Sequence, residues 1–150
     1  NKYLKKRDYD SILKLINIKN HLRQIHRGAP KTGFCGAGIH YLSVSSEGKF
    51  YLCHRFTEDK NHCLGDTETG LKTKRIQQII NYRNENRKPC NTCWVRNHCR
   101  GGCFHENQLK HNSIFQVDYF YCSLLKKEFS IALKAYVCIK KEKPNLLSNL

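Results

Sequence analysis

The residues of this 150-residue chain best suited to chemistry are its nine cysteines: Cys35, Cys53, Cys63, Cys90, Cys93, Cys99, Cys103, Cys122 and Cys138. An odd number leaves one thiol over in a closed set of disulfides, and the short spacing between Cys90 and Cys93 suits a shared metal better than a strained bridge. Thiolates are soft ligands that select zinc, copper(I) or iron–sulfur clusters. The four cysteines that lie within fourteen residues, from Cys90 to Cys103, therefore predict a metal centre.

Composition and charge exclude some classes of protein. No run of about 20 apolar residues is present, which argues against a membrane-spanning helix, and no signal-peptide pattern opens the chain. We therefore expect a reducing, cytoplasmic compartment, in which thiolates are favoured over structural disulfides. The 27 Lys and Arg against 12 Asp and Glu give a net charge of +15. These basic residues are spread along the whole length, so charge alone does not predict specific binding of nucleic acid.

The elements before and between the first cysteines follow from periodicity and turn chemistry. Apolar residues recur at three and four positions from Tyr9 to Ile25, which predicts one amphipathic helix that Gly28 ends. A glycine-rich loop from Gly33 to Gly38 then carries Cys35. Two β-prone stretches, 39–45 and 49–53, flank a turn that suits a hairpin, with Gly48 at positive φ. This hairpin is expected to fold Cys53 back toward Cys35.

The remaining elements are predicted to be mostly irregular or helical. An irregular stretch begins at Leu64, a short helix surrounds Ile76 to Tyr82, and the cysteine-rich segment 90–103 is expected to be loop. A last helix is predicted over 120–141, followed by a frayed tail after Pro144. One face of that helix carries Leu125, Phe129, Ala132, Leu133 and Tyr136. The pattern predicts an α+β fold, with a β-hairpin, cysteine-rich loops and flanking helices.

One interpretation of the cysteine-rich segment is a zinc knuckle. Cys90, Cys93, His98 and Cys103 have its ligand spacing, and zinc knuckles bind single-stranded nucleic acid. However, Trp94 stands where knuckles usually carry a glycine, as does Asn97. A knuckle would also leave idle four cysteines: Cys35, Cys53, Cys99 and Cys122. An iron–sulfur interpretation gives all seven of these cysteines a role.

The complete pattern resembles a known family. Cys35 is followed by twelve residues, Gly48, four residues and Cys53; after a gap come cysteines at two-, five- and three-residue spacings, then a second gap and Cys122. This order resembles the SPASM domain of radical S-adenosylmethionine enzymes. Local words of the chain are similar to those of peptide maturases that form thioether cross-links, including the type that matures quinohemoprotein amine dehydrogenase. These words are Cys35-Gly36-Ala37-Gly38, Cys53-His54-Arg55-Phe56, Leu64-Gly65-Asp66, Cys93-Trp94-Val95-Arg96 and Gly101-Gly102-Cys103-Phe104-His105-Glu106.

The resemblance implies two auxiliary 4Fe–4S clusters. By its pattern, cluster one is held by Cys35, Cys53 and Cys103, and cluster two by Cys90, Cys93, Cys99 and Cys122. Some members add a fourth cysteine to cluster one, six residues after the first, and that position here is Tyr41. The fourth iron of cluster one is thus expected either to be open, so that it could take a substrate thiolate, or to be closed by Cys63.

The resemblance also implies how the chain is organised. Residues 1–30 would be a helix or linker at the end of a missing (β/α) barrel, 31–130 the auxiliary-cluster domain, and 131–150 the end of the last helix and a tail. The chain has no cysteine triplet of the kind that cleaves S-adenosylmethionine, so that cofactor and a third cluster are expected only upstream, and this chain alone is expected to be inactive. No catalytic residue is therefore assigned within it.

The expected function is part of an enzyme that modifies a ribosomally made peptide, in which the clusters handle electrons or bind a substrate cysteine. Its partners would be a substrate peptide with its leader and an electron donor such as a ferredoxin or flavodoxin, with neither a membrane nor nucleic acid. Two alternatives stay open on sequence alone. One is the zinc-knuckle module that binds nucleic acid, and the other is a two-cluster electron carrier, which ferredoxin spacing does not favour.

Overall fold

A computed structural model describes residues 2–28, 35–38, 40–85, 88–99, 101–148 and 150. The helices in these residues are α1 (Lys2–Lys5), α2 (Tyr9–Lys14), α3 (Ile16–Arg27), α4 (Thr73–Glu85), α5 (Lys88–Asn91), α6 (Arg96–Cys99), α7 (Phe104–His111) and α8 (Tyr119–Glu142). The strands are β1 (Ser43–Val44), β2 (Lys49–Tyr51), β3 (Cys63–Asp66) and β4 (Gly70–Leu71). Short 3-10 helices span His54–Phe56, Lys60–His62 and Pro144–Leu147. The predicted α+β class is confirmed.

The chain divides into two compact units. Residues 1–31 and 119–150 form the first unit, and residues 32–118 form the second. The predicted division at residue 30 falls beside the first of these borders, in a segment outside the described residues. The predicted division at residue 130 falls inside α8, which belongs wholly to the first unit. The extent of the auxiliary-cluster domain stays a prediction.

The first unit is built on α2, α3 and α8. The helix predicted over 9–25 is present but is interrupted at Leu15, whose ψ of 100° lies outside the helical region. Gly28 ends α3 in the left-handed conformation that glycine adopts without cost. The core of this unit consists of the side chains of Tyr9, Ile12, Ile18, Leu22, Ala132, Ala135, Ile139 and Leu147.

The last helix and the tail differ in detail from expectation. Helix α8 matches the predicted span within one residue at each end, and Leu125, Phe129 and Ala132 are buried as predicted. Leu133 is partly exposed instead, because the buried side continues through Ala135 and Ile139. A 3-10 helix follows Pro144 where a frayed tail was expected, and its Leu147 is buried in the core of the first unit. No helix among the described residues is long and apolar enough to cross a membrane.

The second unit contains a four-stranded antiparallel sheet in the order β1-β2-β3-β4. The predicted hairpin is confirmed: Ser43 pairs with Tyr51, and the turn residue Gly48 has a φ of 74°. The strands are shorter than predicted, and residue 39, at the start of the first predicted strand, lies outside the described residues. The loop predicted from Gly33 lies outside them as well until Cys35.

The prediction of an irregular stretch from Leu64 was wrong, because these residues form β3. Gly65 pairs with Phe50 on one side and with Leu71 on the other. The sequence 64–66 is too short to have shown this pairing by its pattern. The close approach to β4 requires a glycine: a Cβ at Gly65 would lie 2.0 Å from the carbonyl oxygen of Gly70. This sheet supports the core of the second unit, which contains Tyr51, Leu52, Cys53, Phe56, Leu64, Phe104 and other apolar side chains.

Candidate metal centre

Cys53 lies at the end of the central hairpin of the second unit. It follows β2 and caps the 3-10 helix His54–Phe56, and its side chain is part of the core. Burial raises the pKa of the Cys53 thiol, and the nearby thiols of Cys103 and Cys35 raise it further. The backbone N–H groups of Arg55 and Phe56 act in the opposite direction, because the positive ends of their dipoles lie near the sulfur. The Phe56 N–H itself donates to the Cys53 carbonyl at 2.9 Å. Three cysteines that are far apart in sequence are thus near neighbours in space.

Cys103 is held in place by the start of α7. It precedes the helix and accepts a backbone hydrogen bond from Asn107 N–H at 3.0 Å. The Asn107 side chain, which is almost fully buried, reaches back 3.3 Å to the carbonyl of Gly101. Gly101 and Gly102 both have positive φ, a conformation that other residues adopt only with strain. The glycine pair and the buried amide together fix the direction from which Cys103 enters the site.

An ion pair joins the motif after Cys53 to the motif after Cys103. The Arg55 guanidinium donates to Glu106 Oε1 at 2.6 Å, and both side chains are partly exposed. This contact raises the pKa of Arg55, and the nearby Cys103 thiol adds to the effect. The ion pair therefore lies near Cys103.

His105 lies beside this ion pair. Its ring packs against Phe56 with the ring centroids 5.2 Å apart. Burial lowers the pKa of His105, and the neighbouring Arg55 charge lowers it further. Among the described residues no hydrogen-bond partner exists for its Nδ1, which is buried. A buried polar nitrogen of this kind is available to a group that the chain itself does not supply.

The segment from Cys90 to Cys99 forms two helical turns rather than the loop that was predicted. Cys90 lies in α5, and the N–H of Cys93 donates to its carbonyl at 3.1 Å. Cys99 ends α6 and is buried. Val95, which lies between the two helical turns in sequence, is also buried. Trp94 lies between these two turns in sequence, and 55% of its surface is exposed. These short helices form because i to i+3 and i to i+4 backbone bonds close between the cysteines.

The other three cysteines are placed differently. Cys122 lies in the first turn of α8, in the first unit, and Cys138 lies near the end of the same helix beside the core of that unit. Cys63 begins β3 opposite Tyr51, and its thiol donates to the carbonyl of Gly65 at 3.3 Å. The membership of Cys122 in cluster two stays a prediction.

No three Cys, His, Asp or Glu side chains among the described residues converge closely enough to hold a single metal ion, and no cysteine there forms a disulfide. Four ligands of one zinc lie about 3.8 Å apart, as the Zn–S distance of about 2.3 Å requires. Neither the zinc-knuckle set, Cys90, Cys93, His98 and Cys103, nor the set Cys35, Cys53 and Cys103 forms such a group among the described residues. The thiolates of a 4Fe–4S cluster each bind a different iron, so they stand further apart than those around one ion.

The donor chemistry of Cys35, Cys53 and Cys103 suits such a cluster, since thiolates are its usual ligands. The thiols of Cys35 and Cys103 act electrostatically on Cys53, and the Nδ1 of His105 is buried without a partner in the described residues. Hydrogen bonds to sulfur are what tune the potential of a protein-bound cluster. Sequence reasoning missed the ion pair of Arg55 with Glu106, since these two residues are 51 positions apart in sequence.

Comparison with known proteins adds no relative. No protein-family model matches the chain, and no curated protein is similar enough to it to be counted as one.

Proposed function

We propose that this chain carries two auxiliary 4Fe–4S clusters and serves, as a SPASM-type domain, in a radical S-adenosylmethionine enzyme that modifies a ribosomally made peptide by thioether cross-linking. The observation that supports the proposal is that the thiols of Cys35 and Cys103 act electrostatically on the thiol of Cys53, within the second unit. These positions are separated by 18 and 50 residues, and they are the three that the family pattern assigns to cluster one. Chance proximity of these three among nine cysteines is a weaker explanation.

Cys35, Cys53 and Cys103 would hold cluster one, and Cys90, Cys93 and Cys99 would hold cluster two, with Cys122 expected from the sequence as its last ligand. When bound, the clusters would supply one-electron chemistry, passing an electron from the substrate radical to an external donor–acceptor protein. The chain's own groups would tune them: the N–H dipoles of Arg55 and Phe56 lie near the Cys53 sulfur and favour its thiolate.

The charge of the chain supports a peptide partner of opposite sign. With 27 basic and 12 acidic residues spread over 150 positions, the surface favours an acidic leader peptide without a single concentrated patch. Cleavage of S-adenosylmethionine would need residues outside this chain, so we place the cross-linking chemistry in the complete enzyme. The partners proposed are the leader-bearing peptide and a ferredoxin or flavodoxin.

The test compares three variants after anaerobic reconstitution with iron and sulfide. The unchanged protein should bind about eight irons, and Cys99→Ala should bind about four because one cluster loses a ligand. His98→Ala should keep all of the iron. Cys138→Ala is the matched control, since it removes a partly buried cysteine that the pattern leaves out, and it should also keep all of the iron.

The alternatives predict different results. A zinc knuckle requires one zinc per chain, loss of metal in His98→Ala and no effect of Cys99→Ala. That outcome would overturn the proposal. A protein that holds two clusters, binds no peptide and shows no change in cluster potential when peptide is added would instead be a simple electron carrier. The peptide-modifying role would then be wrong.

A further inference from the structure

An apolar groove opens on the surface of the first unit, between α1, α2, α3 and α8. It encloses about 250 Å³, and its apolar lining consists of Tyr3, Leu4, Ile12, Leu15, Ile18 and Ile131. Ile12 and Ile18 are buried, so they form the floor, whereas Tyr3 and Leu15 are 41% and 46% exposed and stand at its mouth. Lys2 is the charged residue of the lining. The groove therefore offers recessed apolar surface beside a positive charge.

The break between α2 and α3 places Leu15 in this groove. Its N–H donates to the Ile12 carbonyl at 3.1 Å, and its extended backbone, with a ψ of 100°, stops the run of helical hydrogen bonds. Leu15 is also the N-cap of α3, where it makes no side-chain hydrogen bond. Serine, threonine, aspartate and asparagine are the residues that stabilise this position. The apolar side chain at position 15 thus serves the groove rather than the helix.

The size of the groove favours side chains of a partner over a small molecule. A dry cavity of about 150 Å³ takes a benzene ring, so the groove has room for one aromatic or two aliphatic side chains. Sites for cofactors and other small molecules are usually larger, at about 300–1,000 Å³, and carry several polar groups that converge on the ligand. In the described lining, polar atoms of side chains come from Lys2 and Tyr3.

The walls that α1, α2 and the start of α3 contribute are basic. Residues 2–19 contain six basic and two acidic side chains, a net charge of +4. One of the acidic residues, Asp8, caps α2, where it accepts a hydrogen bond from the Ser11 N–H at 3.1 Å. This charge favours an acidic partner. It opposes a second copy of the chain, because a two-fold interface brings the same basic residues of both copies together.

We infer that this groove binds an acidic peptide helix through two apolar side chains that lie one turn apart. Such side chains are neighbours on one helix face, and helices commonly bind in apolar grooves in this way. The inference rests on the proposed function for the identity of the peptide, which is the leader of the substrate. A lipid surface takes up apolar side chains that project, whereas Ile12 and Ile18 are recessed. Single-stranded nucleic acid stacks on aromatic rings, and Tyr3 is the aromatic residue of the described lining.

The test measures binding of fluorescein-labelled synthetic peptides to the full chain by fluorescence anisotropy. The chain is reconstituted without oxygen, and iron is counted in the same sample. The first peptide is a helix of glutamate and alanine with two leucines four positions apart. Serine replaces both leucines in the second peptide, and lysine replaces every glutamate in the third. We expect the first peptide to bind and the other two to bind at least about tenfold more weakly.

Two pairs of variants locate the binding site. Leu15→Ser should lower the affinity for the first peptide about tenfold, and serine suits the N-cap, so α3 should keep its fold. Ile16→Ser is the matched control, since Ile16 is 65% exposed and lies outside the groove lining in the described part of the chain. Lys2→Glu should weaken binding several-fold at low salt and less as salt is added. Lys60→Glu makes the same change of charge in the second unit and should keep the affinity.

The possible failures are distinguishable. About eight irons, with equal binding of the leucine and serine peptides or equal affinity in Leu15→Ser and the unchanged protein, would overturn the peptide groove and leave the proposed function standing. Zinc or no iron, with binding that Leu15→Ser still weakens, would confirm the peptide groove and overturn both the proposed function and the leader as its ligand. A dimer in sedimentation that Leu15→Ser dissociates would assign the groove to a second copy. Binding to anionic lipid vesicles that Leu15→Ser abolishes, without binding of the first peptide, would assign it to a membrane, and either result would overturn the inference.

Discussion

Replacing Gly38 with alanine is the perturbation whose cost can be worked most directly from the structure. Gly38 has a φ of 73°, and a Cβ there would lie 2.5 Å from Cδ1 of Leu52. Leu52 is 2% exposed, so it cannot move into solvent to make room. The left-handed backbone costs an alanine about 1–2 kcal/mol, and forcing an extra methyl into a packed core costs about 1–3 kcal/mol. We therefore expect Gly38→Ala to lower the free energy of unfolding of the second unit by about 2–5 kcal/mol.

Gly70 is the matched control for this change. It has a similar φ of 80° and belongs to the same unit, but a Cβ there would meet nothing within 4 Å. Gly70→Ala should therefore lower the free energy of unfolding by the backbone contribution alone, about 1–2 kcal/mol. Urea unfolding of the reduced, iron-free protein, followed by circular dichroism, gives both values.

The same pair of variants connects packing to the metal centre. Gly38 donates to the Tyr41 carbonyl in the loop that carries Cys35, so a shift of this loop moves one ligand of cluster one. After reconstitution Gly38→Ala should lose about four irons and Gly70→Ala none. Equal destabilisation of the two variants, with full iron in both, would refute the reasoning that Leu52 and Gly38 together fix the loop.

Three other predictions concern the first unit and the charge of the chain. A hydrogen bond to Glu142 raises the pKa of Tyr9 to about 12. Because this pKa in the folded state lies above the unfolded value of 10.0, the hydrogen bond stabilises the fold below pH 10, and this stabilisation is lost as the pH rises toward 12. Urea unfolding at successive pH values should thus show a steeper alkaline loss in the unchanged protein than in Tyr9→Phe, and parallel curves would contradict it. Ile139→Ala, at a fully buried position of α8, should lower the free energy of unfolding by about 2–5 kcal/mol, whereas Val137→Ala, at a position 63% exposed on the same helix, should lower it little. Similar losses in thermal unfolding would refute the assignment of the buried face. Binding of single-stranded nucleic acid, measured by fluorescence anisotropy, should weaken steeply with added salt and not depend on base sequence, and base-selective binding at physiological salt would be the contrary result.

Local sequence patterns predicted the elements that depend on local interactions. The hairpin around Gly48 and the helix α8 are confirmed because a turn glycine and a three-to-four spacing act over a few residues. The break at Leu15 and the strand β3 were missed. Leu15 interrupts a continuous apolar pattern with an ordinary residue, and β3 forms only because Gly65 fits between two partners, Phe50 and Leu71.

The candidate site shows the same difference between features that the sequence predicts and features that depend on tertiary packing. The family resemblance implied that Cys35, Cys53 and Cys103 form one set, and in the structure Cys35 and Cys103 act electrostatically on Cys53. Spacing could not show that Arg55 binds Glu106, which is 51 residues away. This contact depends on tertiary packing, in which side chains from separate segments meet.

The measurement that tests the central claim most directly is the metal content of the reduced full chain, purified without oxygen and reconstituted with iron and sulfide. We predict about eight irons and about eight sulfides per chain, with the Mössbauer spectrum of 4Fe–4S clusters, and a loss of about half of each in Cys53→Ala. One equivalent of zinc with no sulfide, or iron content that Cys53→Ala leaves unchanged, would contradict the account.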